Sequence, residues 1–154
     1  MTVTKIISGG QTGVDRAGLD AALALNIDHG GYVPEGRKAE DGTVPLMYQM
    51  EELTRGGYPA RTKKNIEASD GTLVFCQGQP KTGTKLTVDH AEKIGKPCLV
   101  LDVDAVSKST AIVMIREWIA REGIKMLNVA GPRLSSAPIV ATMAKRILIE
   151  ALVE

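Results

Sequence analysis

The chain has 154 residues, with 19 Lys and Arg against 18 Asp and Glu and a formal net charge of +1. That length predicts one domain over residues 1–154, with a core large enough to need no disulfide or metal staple. Acids and bases are interspersed and only one Phe, three Tyr and one Trp occur, which excludes an electrostatic nucleic-acid binder and leaves an aliphatic core.

The chain enters a strand pattern at once, Val3 to Ile7, with no signal-peptide pattern, and no apolar run approaches the roughly 20 residues of a membrane span. A cytoplasmic protein is expected. The run Lys5–Ser8 stops at Gly9-Gly10-Gln11-Thr12-Gly13. A helical pattern follows, with Val14, Ala17, Gly18, Ala21, Ala22 and Leu25 on one face. A weaker strand is predicted at Gly30–Val33. From Pro34 to Pro59 the sequence is rich in Pro and Gly and has little periodicity. Aperiodic segments of that length in a compact domain are functional or disordered. With Arg37, Tyr48 and Tyr58 in it and Arg61 just beyond, it suits a lid; a surface excursion or a subunit contact is the plainer alternative.

A short helix over Ala60–Ala68 leads to a strand at Thr72–Cys76. A helix over Thr84–Ile94, ended by Gly95 and Pro97, leads to a strand at Cys98–Asp102. Ile112, Ile115, Trp118 and Ile119 share a helix face before the strand Met126–Ala130. Val140, Met143, Ala144, Ile147, Leu148 and Ala151 form the clearest amphipathic helix, with Ser136 as its expected N-cap and Pro138 in its first turn. Cys76 and Cys98 lie inside apolar strands and read as free thiols of a reducing compartment. Neither His29 nor His90 stands in a metal-ligand spacing, so no metal site is expected.

Alternation of strands and helices predicts an α/β three-layer sandwich with a mostly parallel sheet of about five strands. Ligands bind beyond the carboxyl ends of such strands, so the residues after each strand matter most. Gly9–Gly13 fits neither the dinucleotide fingerprint nor the P-loop. Its glycines let N–H groups approach an anion, and the helix start adds partial positive charge. A tight turn that merely needs glycine is the plainer reading.

Asp15 either complements the helix dipole or orients a hydroxyl, a water or a metal at the rim. Arg16 either forks onto a phosphate or pairs with Asp20 one turn on. Lys81-Thr82-Gly83-Thr84-Lys85 is a second strand–turn–helix element, and two such turns from neighbouring strands could grip a phosphate from both sides. Gly131 and Arg133 follow the last strand at the same edge; Arg133 is a ligand contact, unless Gly131-Pro132 simply ends the strand. The candidate binding residues are therefore Gly9, Gly10, Gln11, Thr12, Gly13, Asp15, Arg16, Arg37, Thr82, Gly83, Thr84, Gly131 and Arg133.

Ile7-Ser8-Gly9-Gly10-Gln11-Thr12-Gly13-Val14-Asp15-Arg16 resembles the signature of the circularly permuted YpsA-like branch of the SLOG superfamily. Further family-like stretches are Gly30 to Arg37, Ala39 to Gly42, Arg61-Thr62 with Asn65, Ser69 to Leu73, Thr82-Gly83-Thr84 and Asn128 to Arg133. Members of this branch are labelled molybdenum carrier proteins. The resemblance implies a Rossmann-like fold and a pocket for a nucleotide or nucleotide-derived ligand beyond the strand ends. A molybdenum cofactor, which carries a phosphate, also suits that pocket. Related SLOG hydrolases resemble a P-G-G-x-G-T-x-x-E pattern; here Thr87 stands where the Glu is expected, which weighs against hydrolysis.

The expected function is binding of a phosphate-bearing small molecule at the carboxyl edge of the sheet: a nucleotide, a nucleotide derivative or a molybdenum cofactor. The alternative is a nucleotide hydrolase cleaving an N-glycosidic bond, with Asp15, Glu35, Asp41 or Asp70 as acid or base. A purely structural or partner-binding role is a third reading, and it leaves two glycine-rich turns at one sheet edge without a use. No nucleic acid and no membrane is an expected partner. A homo-oligomer is expected, with the Ile112–Ile119 helix and the last helix as its apolar faces.

Overall fold

The computed structural model describes residues 2–154. Along the chain the elements are β1 (Lys5–Ile7), α1 (Val14–Leu25), β2 (Asp28–Gly30), β3 (Tyr32–Pro34), β4 (Lys38–Ala39), β5 (Gly42–Thr43), β6 (Glu51–Leu53), α2 (Gly57–Ala68), β7 (Gly71–Cys76), α3 (Thr82–Ile94), β8 (Cys98–Asp102), α4 (Lys108–Glu122), β9 (Met126–Ala130) and α5 (Pro138–Leu152). Five strands form one parallel sheet in the order β2-β1-β9-β7-β8. The last strand of the chain thus fills the centre: Leu127 sits opposite Ile6, and Val129 opposite Leu73. This is a Rossmann-like three-layer α/β fold.

Strand alternation sends the two faces of the sheet to different neighbours. Ile6, Leu73, Phe75, Leu127 and Val129 join the core beneath α1, α4 and α5, with Val14, Ile115, Trp118, Val140 and Leu148. Each fully buried aliphatic side chain among them contributes about 2 kcal/mol. Thr72 and Asn128 take the opposite face, where Asn128 Nδ2 donates to Thr72 Oγ1 at 3.2 Å. The apolar stripes of α4 and α5 contribute to this core: Ile115, Trp118, Val140, Ala144 and Leu148 are buried within the single chain. Helix α5 opens with Pro138 as its first residue and Ala137 as N-cap, so Ser136 does not cap it.

The strand expected over Gly30–Val33 is two strands. Gly31 has φ +126° and lies so close to the Ser8 carbonyl that a Cβ there would collide with it. The chain breaks at that point: β2 stays in the main sheet, and β3 leaves to pair in parallel with β6. Residues 34–59 are an ordered strap. Val33, Ala39, Val44 and Tyr48 pack with Leu19 into a small second core. Arg37 fastens it from inside: Nε donates to the Val44 carbonyl at 3.0 Å, and Nη2 to Pro45 and Tyr48 at 2.8 and 2.7 Å. The Tyr48 hydroxyl donates to Asp20 Oδ1 at 2.5 Å, tying the strap to α1. Among the described residues no helix is long and apolar enough to cross a membrane.

Candidate functional site

A cavity of about 390 Å³ opens beyond the carboxyl ends of β1, β9 and β7. Its walls come from Gly9, Gln11 and Asp15, from Tyr58, Arg61 and Asn65 of α2, from Thr82, Gly83 and Thr84 of α3, and from Asn128, Gly131 and Arg133. Because β9 lies between β1 and β7, the two glycine turns are not neighbours. The Gly131–Arg133 segment fills the gap between them.

The Gly9–Gly13 turn is not an open anion cradle. Its N–H groups are answered from within: Gly10 by Ser8 Oγ at 3.3 Å, Gln11 by Asp15 Oδ2 at 3.2 Å and Thr12 by Gln11 Oε1 at 3.1 Å. A carboxylate of the protein occupies the place expected for the ligand's anion. Gly10, Thr12 and Gly13 lie outside the cavity wall. Gly13 packs on the backbone after β9, where a Cβ would stand 2.5 Å from the Pro132 oxygen. Gly9 does face the cavity. A side chain there would occupy the space of the Arg61 guanidinium, so glycine is what lets Arg61 lie across the turn.

Two buried donors in this wall have no partner among the described residues: Gln11 Nε2 and Arg61 Nε. The Gln11 amide cannot be turned round. Its Oε1 already accepts the N–H groups of Thr12 at 3.1 Å and Glu40 at 2.8 Å, so Nε2 is fixed on the other side. Arg61 Nη1 donates to Thr62 Oγ1 at 3.1 Å and stands 3.6 Å from Asp15 Oδ2. An unanswered buried donor costs about 1–3 kcal/mol.

Charge converges on the same space. The guanidinium carbons of Arg61 and Arg133 lie 5.2 and 5.7 Å from the centre of the Tyr58 ring, and Lys38 Nζ lies 5.6 Å from it. At the start of α3, the Thr84 and Lys85 N–H groups bond to the Lys81 carbonyl at 3.0 and 3.2 Å. Those of Thr82 and Gly83 precede them and have no intrahelical acceptor. The space above Gly83 is open. Against this positive surface stands Asp15, 4% exposed. Burial pushes its carboxyl group above the usual carboxylate value, against the opposing pull of Arg61, the Gln11 N–H, Arg16 and Arg133.

Several expected site residues lie elsewhere. Arg16 pairs with Asp41, not Asp20, through two bonds of 2.6 and 2.8 Å, and its Nε donates to the Gly10 carbonyl at 3.0 Å. It faces a neighbouring groove with Thr12, Glu40 and Ser135. Arg37 is consumed in the strap, and Glu35 is exposed in the 3-10 turn that precedes β4. Asp70 lies at the opposite edge of the sheet, where Oδ2 accepts the Lys125 and Met126 N–H groups at 3.0 and 2.8 Å. It precedes a strand rather than following one, which places it at the amino end.

The sequence reading did not select Tyr58, Arg61, Asn65, Asn128 or Glu40 for the site. Arg61 and Asn65 stand four apart and so share a helix face, a readable signal beside the lid segment and the family-like stretches that already held these residues. Asn65 clamps Tyr32: Oδ1 accepts its N–H at 2.9 Å and Nδ2 donates to its carbonyl at 3.0 Å. Glu40 accepts from Ser135 Oγ at 2.6 Å and N at 3.2 Å and from the Thr12 hydroxyl, with Arg133 at 4.0 Å. Ser135 and Thr12 hold its carboxyl group below the usual range.

A parallel α/β layer with a cleft across the carboxyl ends of its central strands defines the class: a Rossmann-like domain. The chain belongs to the circularly permutated YpsA SLOG family, whose model matches residues 6–152. It is similar to a protein from Syntrophus aciditrophicus SB named "Putative molybdenum carrier protein". The crystal structure of that protein superposes with a TM-score of 0.96 at 44% identity, over 99% of this chain and 96% of the other. None of the curated proteins matches the chain.

Proposed function

We propose that the chain binds a phosphate-bearing small molecule in the cleft at the carboxyl edge of the sheet: a nucleotide, a nucleotide derivative or a molybdenum cofactor. The two unanswered buried donors, Gln11 Nε2 and Arg61 Nε, carry this reading. Both side chains belong to the cavity wall, and neither nitrogen has an acceptor among the described residues. Arg133 and the free N–H groups of Thr82 and Gly83 add positive character on the facing wall. The Tyr58 ring beside them, with Arg61, Arg133 and Lys38 within 5.7 Å of its centre, gathers positive charge at this wall. The carrier name of the similar protein supports a small-molecule cargo, and the phosphate of a molybdenum cofactor suits the donors.

Calorimetry and thermal shift with nucleoside monophosphates, inorganic phosphate and the molybdenum cofactor test the proposal. A bound ligand raises the melting temperature by mass action. Arg61→Ala is expected to weaken binding about tenfold to a hundredfold, the loss of one charge-assisted hydrogen bond. Binding that is indifferent to Arg61→Ala, or no binding by any of these compounds, refutes it.

One observation favours the hydrolase as a second reading. Asp15 is a buried carboxyl group with a raised pKa in the cavity wall, the environment of a general acid. Release of free base from a nucleoside monophosphate, abolished by Asp15→Asn, is its signature. Persistent absence of free base across the nucleotides rules it out.

A further inference from the structure

We propose that the cleft takes its anion together with one proton, shared between the anion and the Asp15 carboxyl group. The site then selects oxyanions that carry an O–H or regain one readily, such as hydrogen phosphate and, with a second pKa of about 6, a phosphate monoester, over tetrahedral dianions that stay fully deprotonated, such as sulfate and molybdate. This rests on the anion-binding reading given above.

The argument is one of position. Asp15 is 4% exposed and lines the same cavity as Gln11 and Arg61. Its Oδ2 accepts the Gln11 N–H at 3.2 Å and stands 3.6 Å from Arg61 Nη1. Oδ1 accepts no hydrogen bond from any described residue. Gln11, Asp15 and Arg61 line one cavity, so an anion held against that wall sits beside a carboxyl group leaning on the Arg61 guanidinium. Two like charges that close in a water-poor wall cannot both stay ionised. A proton between them removes the repulsion and makes a short, strong hydrogen bond of the contact.

The balance differs between anions. Hydrogen phosphate donates its own O–H to the Asp15 carboxylate, and no proton is taken from solvent. Sulfate has no proton to give, so Asp15 must first take one from solvent and donate it to a sulfate oxygen. Burial already raises the Asp15 carboxyl group above its usual value, which eases that uptake. The other charged or titratable groups around it are Arg61 and Tyr58 of α2, Arg16 of its own helix, Arg133 after β9, and Cys76 and Lys81 between β7 and α3. A molybdenum-bearing ligand enters such a site by a phosphate group, not as molybdate.

The test is the pH dependence of the dissociation constants of inorganic sulfate and inorganic phosphate, from about pH 6 to about pH 9. In the unaltered protein, sulfate affinity is expected to fall about tenfold per pH unit above the Asp15 pKa, as one-proton linkage requires. Above phosphate's own second pKa, where hydrogen phosphate is the free species, phosphate affinity is expected to stay nearly level. Asp15→Asn keeps an oxygen for the Gln11 N–H and cannot ionise. In that variant the sulfate slope should vanish, and sulfate should bind more tightly at the alkaline end than to the unaltered protein. Parallel profiles for the two anions in the unaltered protein, or a sulfate slope that survives in Asp15→Asn, overturn the inference while leaving anion binding in place. If neither anion binds at any pH, the binding reading falls and takes this one with it. If the variant does not fold, the two profiles of the unaltered protein decide.

Discussion

Gly9 is small because Arg61 needs its space. The guanidinium lies where a Gly9 side chain would be, so the residue that opens the glycine turn makes room for a cation from a helix some fifty residues away. Gly9→Ala is expected to push the end of Arg61 aside without disturbing the backbone. Stability should change by less than about 1 kcal/mol, since the displaced group is the tip of a flexible side chain. Phosphate affinity should drop about tenfold or more. Urea unfolding beside calorimetry separates the two effects, and a large stability loss with intact affinity would contradict this assignment. Gln11 carries a second lesson. Two bonds to its oxygen fix the amide, and only the knowledge that Glu40 lies beside it reveals which way the nitrogen faces.

At the scale of elements, each end of the sheet has its own task. The carboxyl ends of β1, β7 and β9 line the cleft, while the amino end of β9 is pinned by Asp70 through the N–H groups of Lys125 and Met126. Those bonds hold the Asp70 carboxyl group below its usual range, the Met126 N–H foremost. The stability they contribute is therefore complete above pH 3.8, the ordinary value, and is lost as the pH falls through the depressed one. Asp70→Ala should lower the unfolding free energy by about 1–3 kcal/mol at neutral pH, and the two proteins should converge in strong acid. A gap that persists unchanged at low pH would point to another cause. The helices and long strands were legible from spacing, because four apolar runs and their amphipathic partners have unambiguous periods. The Gly30–Val33 strand was not, because the break at Gly31 arises from contact with Ser8 across the sheet, which no local pattern encodes.

For the molecule as a whole, the order of the sheet is the decisive fact. β9 joins β1–β2 to β7–β8, and among the described residues no other ladder does. A chain ending at Glu122 keeps four of the five strands but loses the one that connects them. It is expected to show no cooperative thermal transition by circular dichroism; a sharp transition in that fragment would mean that each half folds alone. The sequence by itself determined the class of fold and the glycine turns that follow its strands, because apolar periodicity and glycine turns are local properties. Only the tertiary structure decided which charges meet there. Arg61 and Asp15 come together because α2 crosses over the β1 turn. Arg16 and Arg37 are used up on Asp41 and on the carbonyls of the strap, and Asp70 falls at the far edge. A side chain's partner is set by what the chain's path brings within bonding distance, and that path runs through contacts far apart in sequence.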